Sequence, residues 1–156
     1  MLLIRKIKSS RVKQLIMVKD EENNTVAGLN DIKDRQDIEK ILSSFYEQSF
    51  KDELIGRFFS EVVPLDLKTH LPVITDFWEA VLFNTHSYRK NVMDIHRHIH
   101  ELSPINKTHL DRWVQIFHTT IDRFYVGEKA TLMKQRGQSI AGLMDVKLNY
   151  KQINKL

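Results

Sequence analysis

His96, His98 and His100 stand in the run HRHIH, which gathers three of the chain's seven histidines into five residues. Imidazoles at that density suit a transition metal. On a helix, His96 and His100 share one face at i, i+4. A zinc pair of the H-E-x-x-H type needs a glutamate between the histidines, and Arg97, His98 and Ile99 stand there instead. No third ligand is assured either, and a solvated polar turn accounts for the run taken alone. Cysteine is absent from the 156 residues, so disulfides, thiolate nucleophiles, zinc ribbons and iron–sulfur clusters are excluded, which fits a reducing cytoplasm. Tyr46, His70 and Trp113 sit on or beside apolar helical stripes. Each, taken singly, reads as a core aromatic whose polar atom has found a partner.

The elements that must position these residues follow from apolar period. Ile38, Ile41, Leu42, Phe45 and Ser49 repeat as one helix face, which Asp34 or Asp37 can cap. A short apolar segment follows, with Leu54, Ile55, Phe58, Phe59, Val62 and Val63, and Pro64 ends it. Leu67, Leu71, Ile74, Phe77, Trp78, Val81 and Leu82 mark a second helical stretch over 67–83. Pro72 is tolerated only near a first turn, so the continuous helix is expected to start around His70–Leu71. Residues 84–105 read as irregular or short-helical. Asn106 then caps a helix showing Leu110, Trp113, Phe117, Ile121 and Phe124, which Gly127 stops. The last helix runs from about Glu128 to Tyr150, with Ala130, Met133, Gly137, Ile140, Ala141 and Met144 inward. Gly137, Ala141 and Gly142 permit a close approach to its backbone. No segment alternates with period two for long, and no Gly-rich phosphate loop appears, so the architecture is all-α.

Charge divides the chain. Arg5, Lys6, Lys8, Arg11, Lys13 and Lys19 carry six positive charges with no acid among the first nineteen residues. Against a net charge of +4, the remainder is therefore net −2, which argues against a nucleic-acid face on the domain. The apolar residues of the start are interrupted by charge too often for a secretory segment, and no apolar run is long enough for stable membrane insertion. Residues 1–36 are expected to be a flexible, basic extension and linker, with translation from Met17 an alternative to Met1. Residues 37–150 are expected to be one domain, long enough to bury a core.

Taken together, the polar aromatics stand in a recognisable order. Phe45-Tyr46 is followed by His70-Leu71-Pro72 with Phe77-Trp78, then Tyr88 and His96 eight residues on, then Arg112-Trp113 with Phe117 and Thr120. Gly127-Glu128-Lys129-Ala130 and Arg136 with Ile140-Ala141 complete the series. Residues 37–144 thereby resemble the group III truncated haemoglobins. The resemblance implies a truncated globin-like helical sandwich around haem, with His96 as the proximal iron ligand. It places Tyr46, His70, Ile74 and Trp113 on the ligand side and makes Phe45, Phe58, Phe77 and Phe117 haem-packing or core residues. Lys90 and Val92 stand where the family has a glycine and a proline in the turn that sets the register of the proximal histidine. His98 and His100 therefore stay open beside His96. Asn84 replaces a usual glycine, and Arg57 a usual proline.

What the resemblance implies is chemically coherent. An imidazole that ligates iron leaves the opposite axial position open to oxygen or another diatomic ligand. The Tyr46 O–H and the Trp113 indole N–H are donors that would stabilise negative charge on such a ligand and slow its release. The implied function is binding of oxygen and related ligands, with oxygen or reactive nitrogen and oxygen species chemistry to follow where a separate reductase supplies electrons. A haem-based gas sensor and a haem-free helical interaction module are the rival readings.

Overall fold

A computed structural model describes residues 28–85, 88 and 92–153, and the described residues from Asp31 onward form one packed unit. The expected basic extension lies, over 1–27, outside the described residues. Helix α1 spans Arg35–Lys51, and Asp34 caps it by accepting from the N–H groups of Gln36 and Asp37. Its apolar stripe of Ile38, Ile41, Leu42, Phe45 and Ser49 is buried as the period predicts. Beyond it Asp52 holds the corner, accepting from the Leu54 and Ile55 N–H groups at 3.0 and 3.1 Å and from Arg112 Nε at 2.8 Å. Gly56 follows because a Cβ there would lie 2.7 Å from the Phe50 carbonyl oxygen. The short apolar segment then closes as one π-helical turn, Phe58–Val62.

Helix α2 covers Leu67–Phe83 behind an Asp66 cap, so it begins before the expected His70–Leu71 start. Pro72 lies in its second turn, where it leaves the carbonyl of the exposed residue Lys68 without its helical donor. Asn84 ends α2 in the left-handed region at φ 55°, a conformation asparagine tolerates. The stretch read as irregular or short-helical contains a short helix, α3, over Val92–Leu102. Helix α4, Lys107–Phe124, starts at the expected Asn106 cap, and α5 covers Glu128–Ile153 after Gly127.

No strand occurs among the described residues, and the all-α reading holds. Helices α4 and α5 lie along each other, and α1 lies against both α2 and α4. Helices α2 and α3 each rest on α5, and the π turn meets α1 and α3. The core includes an aromatic stack: Trp113 and Trp78 flank Phe117 at centroid distances of 4.9 and 5.1 Å, and Phe45 meets Phe117 edge-on at 5.4 Å. Gly137 makes room for it, since a Cβ there would lie 2.8 Å from the Phe117 ring. The expected close approach to α5 is thus made by an aromatic ring.

The packed unit reaches further back than residue 37. Ile32 is buried, and Asp31 caps α5 from a distance, accepting from the Lys129 and Ala130 N–H groups at 2.9 Å each. Gly127 has a φ of +147°, and any side chain there would run into Asp31. No helix among the described residues is long and apolar enough to cross a membrane.

Candidate functional site

Tyr46 and His70 come together although they are 24 residues apart, with Tyr46 Oη and His70 Nε2 at 2.8 Å. Helix α1 turns Tyr46 to its inner edge beside Phe45, and the second turn of α2 brings His70 opposite. The two rings meet edge-on at 5.3 Å. Burial pushes the Tyr46 hydroxyl far above the usual tyrosine range, so the proton stays on its oxygen at any physiological pH. One hydrogen bond can be read in two directions. If His70 carries its proton on Nδ1, Tyr46 donates to Nε2; if on Nε2, the ring donates and the phenolic proton is left to point elsewhere.

Trp113, on α4, joins this group through Phe45, with centroids at 5.5 Å. Its indole N–H meets no acceptor among the described residues, while its ring is held by the stack on Phe117. It is a fixed donor with its bonding capacity unspent.

Helix α2 carries two apolar stripes. Thr75, Trp78 and Leu82 are buried in the core. Leu71, Ile74, Phe77 and Val81 form the second stripe, and each is only partly covered. Phe77 on that stripe meets the ring of Tyr88 at 5.1 Å, in the segment that leads toward α3. Among the described residues α2 and α3 make no contact at the backbone level, and each is supported separately by α5. On α3, Met93, His96, Ile99 and His100 are half-buried, whereas Asp94, Ile95, Arg97 and His98 are exposed. The helix thus presents one inward edge with His96 on it.

The three histidines of the run are not equivalent. His98 is exposed. His100 accepts the Ile105 N–H at its Nδ1, 3.0 Å away. Phe45 and Phe117 are deep in the core, each at 1% exposure or less, and Phe58 is buried with its ring 5.0 Å from that of His109. Three features were not anticipated from the residues: the Tyr46–His70 bond, the Asp52–Arg112 tie and the second stripe of α2. Only the last left a signal, in the surplus of apolar positions over 67–83.

No protein-family profile matches the chain. It is similar to the group 3 truncated hemoglobin ctb of Campylobacter jejuni, at 26% identity over 110 residues, which cover 69% of this chain and 84% of that one. The fold is similar to the crystal structure of the group III truncated hemoglobin from Campylobacter jejuni, with a TM-score of 0.67 at 24% identity. That superposition covers 77% of this chain and 94% of the other. The chain is thus similar in sequence to a group 3 truncated haemoglobin, and its fold is all-α and globin-like.

Proposed function

We propose that the chain binds haem between α2 and α3, takes His96 as an axial ligand to the iron, and holds oxygen or a related diatomic ligand beside Tyr46, His70 and Trp113. The observation that carries this reading is the half-covered stripe of Leu71, Ile74, Phe77 and Val81 on α2, together with the lack of backbone contact between α2 and α3 among the described residues. Apolar surface left open inside a helical unit suits a flat apolar partner, and the donor set beside it suits the polar end of a small ligand.

His96 is favoured over its neighbours by tautomer chemistry. A neutral imidazole that accepts at Nδ1 carries its proton on Nε2, and a protonated nitrogen does not ligate a metal. His100 is in that state, since its Nδ1 takes the Ile105 N–H. His98 faces solvent. His96 stands half-buried on the inward edge of α3, at the family spacing from Tyr88.

Haem held by His96 would supply an iron that can bind a diatomic ligand. The protein's own part is electrostatic. The buried Tyr46 hydroxyl stays protonated, and through its bond to His70 it either donates to the imidazole or is freed to donate to a ligand. Trp113 offers a second donor whose direction is set by its stacking. Such donors retain a ligand that carries partial negative charge, which suits holding or reacting oxygen better than delivering it. Redox turnover would draw electrons from a separate reductase. Optical spectra of the purified protein, oxidised, reduced and under carbon monoxide, test the reading. A five-coordinate reduced spectrum that shifts with carbon monoxide is expected; a spectrum identical to free haem after reconstitution would overturn it.

A further inference from the structure

Residues 103–106 connect α3 to α4, and two consecutive amides of this connection are taken by histidine rings. The Ile105 N–H donates to His100 Nδ1 at 3.0 Å, and the Asn106 N–H donates to His109 Nδ1 at 3.1 Å. One ring comes from the last turn of α3 and the other from the first turn of α4. A ring nitrogen accepts only while it carries no proton, so both imidazoles must be neutral, with hydrogen on Nε2. A second proton turns each Nδ1 into a donor facing a donor. Each bond fails when its own ring takes that proton.

The second bond is also half of a helix cap. Asn106 Oδ1 accepts the His109 N–H at 3.2 Å while His109 Nδ1 accepts the Asn106 N–H, which makes a reciprocal capping box with histidine where glutamate or glutamine usually stands. Glutamine in that role is indifferent to pH over the physiological range, whereas histidine is not. The side chain of Ile105 is buried, so the connection is anchored against the core when the amides are bonded.

The surroundings favour a neutral His109. Arg57, beside the π turn, bears on His109, and burial followed by that positive charge holds His109 below the usual histidine range. The Phe58 ring covers it at 5.0 Å. Further charged groups on the neighbouring elements include Glu61 of the π turn, Glu101 of α3, and Asp145 and Lys147 of α5. Arg97 is paired with Asp94, and Lys107 with Asp111. Among the described residues no carboxylate forms an ion pair with either ring, so neither cation is given a partner.

We propose that His100 and His109 form an acid-sensitive latch on the α3–α4 connection, which fastens the C-terminal end of the helix carrying His96 at neutral pH and releases it on acidification. The sign follows from the acceptors. Folding favours the neutral His109 ring, so its stabilisation is present above about pH 6.5, the ordinary histidine value, and is lost as pH falls through the folded-state value below it. The device does not depend on haem.

Nuclear magnetic resonance on the full chain tests it. Both rings should show the Nε2–H tautomer at pH 7.5. The Ile105 and Asn106 amides should exchange about fivefold to tenfold faster at pH 5.0 than at 7.5 after correction for intrinsic rates, the worth of one hydrogen bond each. The double variant His100→Asn with His109→Asn, whose Oδ1 atoms stand near the Nδ1 positions, should lose that dependence. An Nδ1–H tautomer in either ring, unchanged wild-type exchange, or an equal acid response in the variant would each overturn the proposal. If the variant does not fold, the wild-type tautomers and exchange rates decide it alone.

Discussion

Tyr46 and His70 share one hydrogen bond, so the ligand side of the proposed pocket works as a coupled pair rather than as independent donors. Each donor lost from a partly charged ligand removes about 1.5–3 kcal/mol. Tyr46→Phe and Trp113→Phe should therefore each speed oxygen release about tenfold to a hundredfold, measured by stopped-flow, while carbon monoxide release changes much less. Equal acceleration of both gases would point to pocket size instead. The shared bond adds a sharper expectation: His70→Leu should act strongly in the parent and weakly once Tyr46 is Phe, because contacting residues are not additive. On the other side, His96→Gly should abolish the five-coordinate reduced spectrum and added imidazole should restore it. His100→Gly should leave that spectrum in place, since its Nδ1 is engaged by Ile105. An unchanged spectrum in His96→Gly would move the ligand to another residue of the run.

One helix owes its start to a side chain from far away in the chain. Helix α5 begins where Asp31 accepts the Lys129 and Ala130 amides, and those N–H groups outweigh the opposing effect of burial to hold the carboxyl below its usual range. Asp31→Ala should remove a cap worth about 0.5–2 kcal/mol and lower the thermal midpoint by about 2–8 °C. An Asp31→Ala protein as stable as the parent would show that α5 starts without it. Gly127 is bound to the same corner, since both its φ of +147° and the nearness of Asp31 reject a side chain. Helix α3 depends on its flanks in a different way, because it rests on α5 and the π turn but not on α2. Its position relative to the ligand side is therefore left to the connection at residues 103–106 and to whatever fills the space beside α2.

At the scale of the whole molecule, three carboxylates tie segments that are distant in sequence. Burial works against ionising Asp31, Asp37 and Asp52, but their hydrogen bonds from backbone amides, from Tyr125 and from Arg112 prevail and hold all three below 3.8. Groups with lowered folded-state values stabilise above the unfolded value and lose that contribution as pH falls through the folded one. Thermal melts should thus show an acid loss below about pH 4 from these carboxylates, distinct from the histidine-linked loosening that sets in below about 6.5. A melting temperature that stays flat from pH 5 to pH 2 would remove the carboxylate ties from the account.

What the sequence determined by itself is periodic and local. The buried face of α1, the Asn106 cap and the all-α class follow from spacing and capping chemistry, which depend on near neighbours, whereas α4 ends at Tyr125 and not at the expected Gly127. The order of Tyr46, His70, His96 and Trp113 was legible too, as a resemblance carried by residue types. Only the tertiary structure decided where those residues meet. Tyr46 and His70 find each other across a turn because α1 and α2 pack together. Ile32 and Asp31 belong to the packed unit although their stretch is polar, because a single buried isoleucine and one remote cap leave no periodic trace. The early start of α2 before Pro72 was hidden for the same reason: whether a missing amide bond matters depends on whether solvent reaches the carbonyl it leaves, and solvent access is a property of the folded whole.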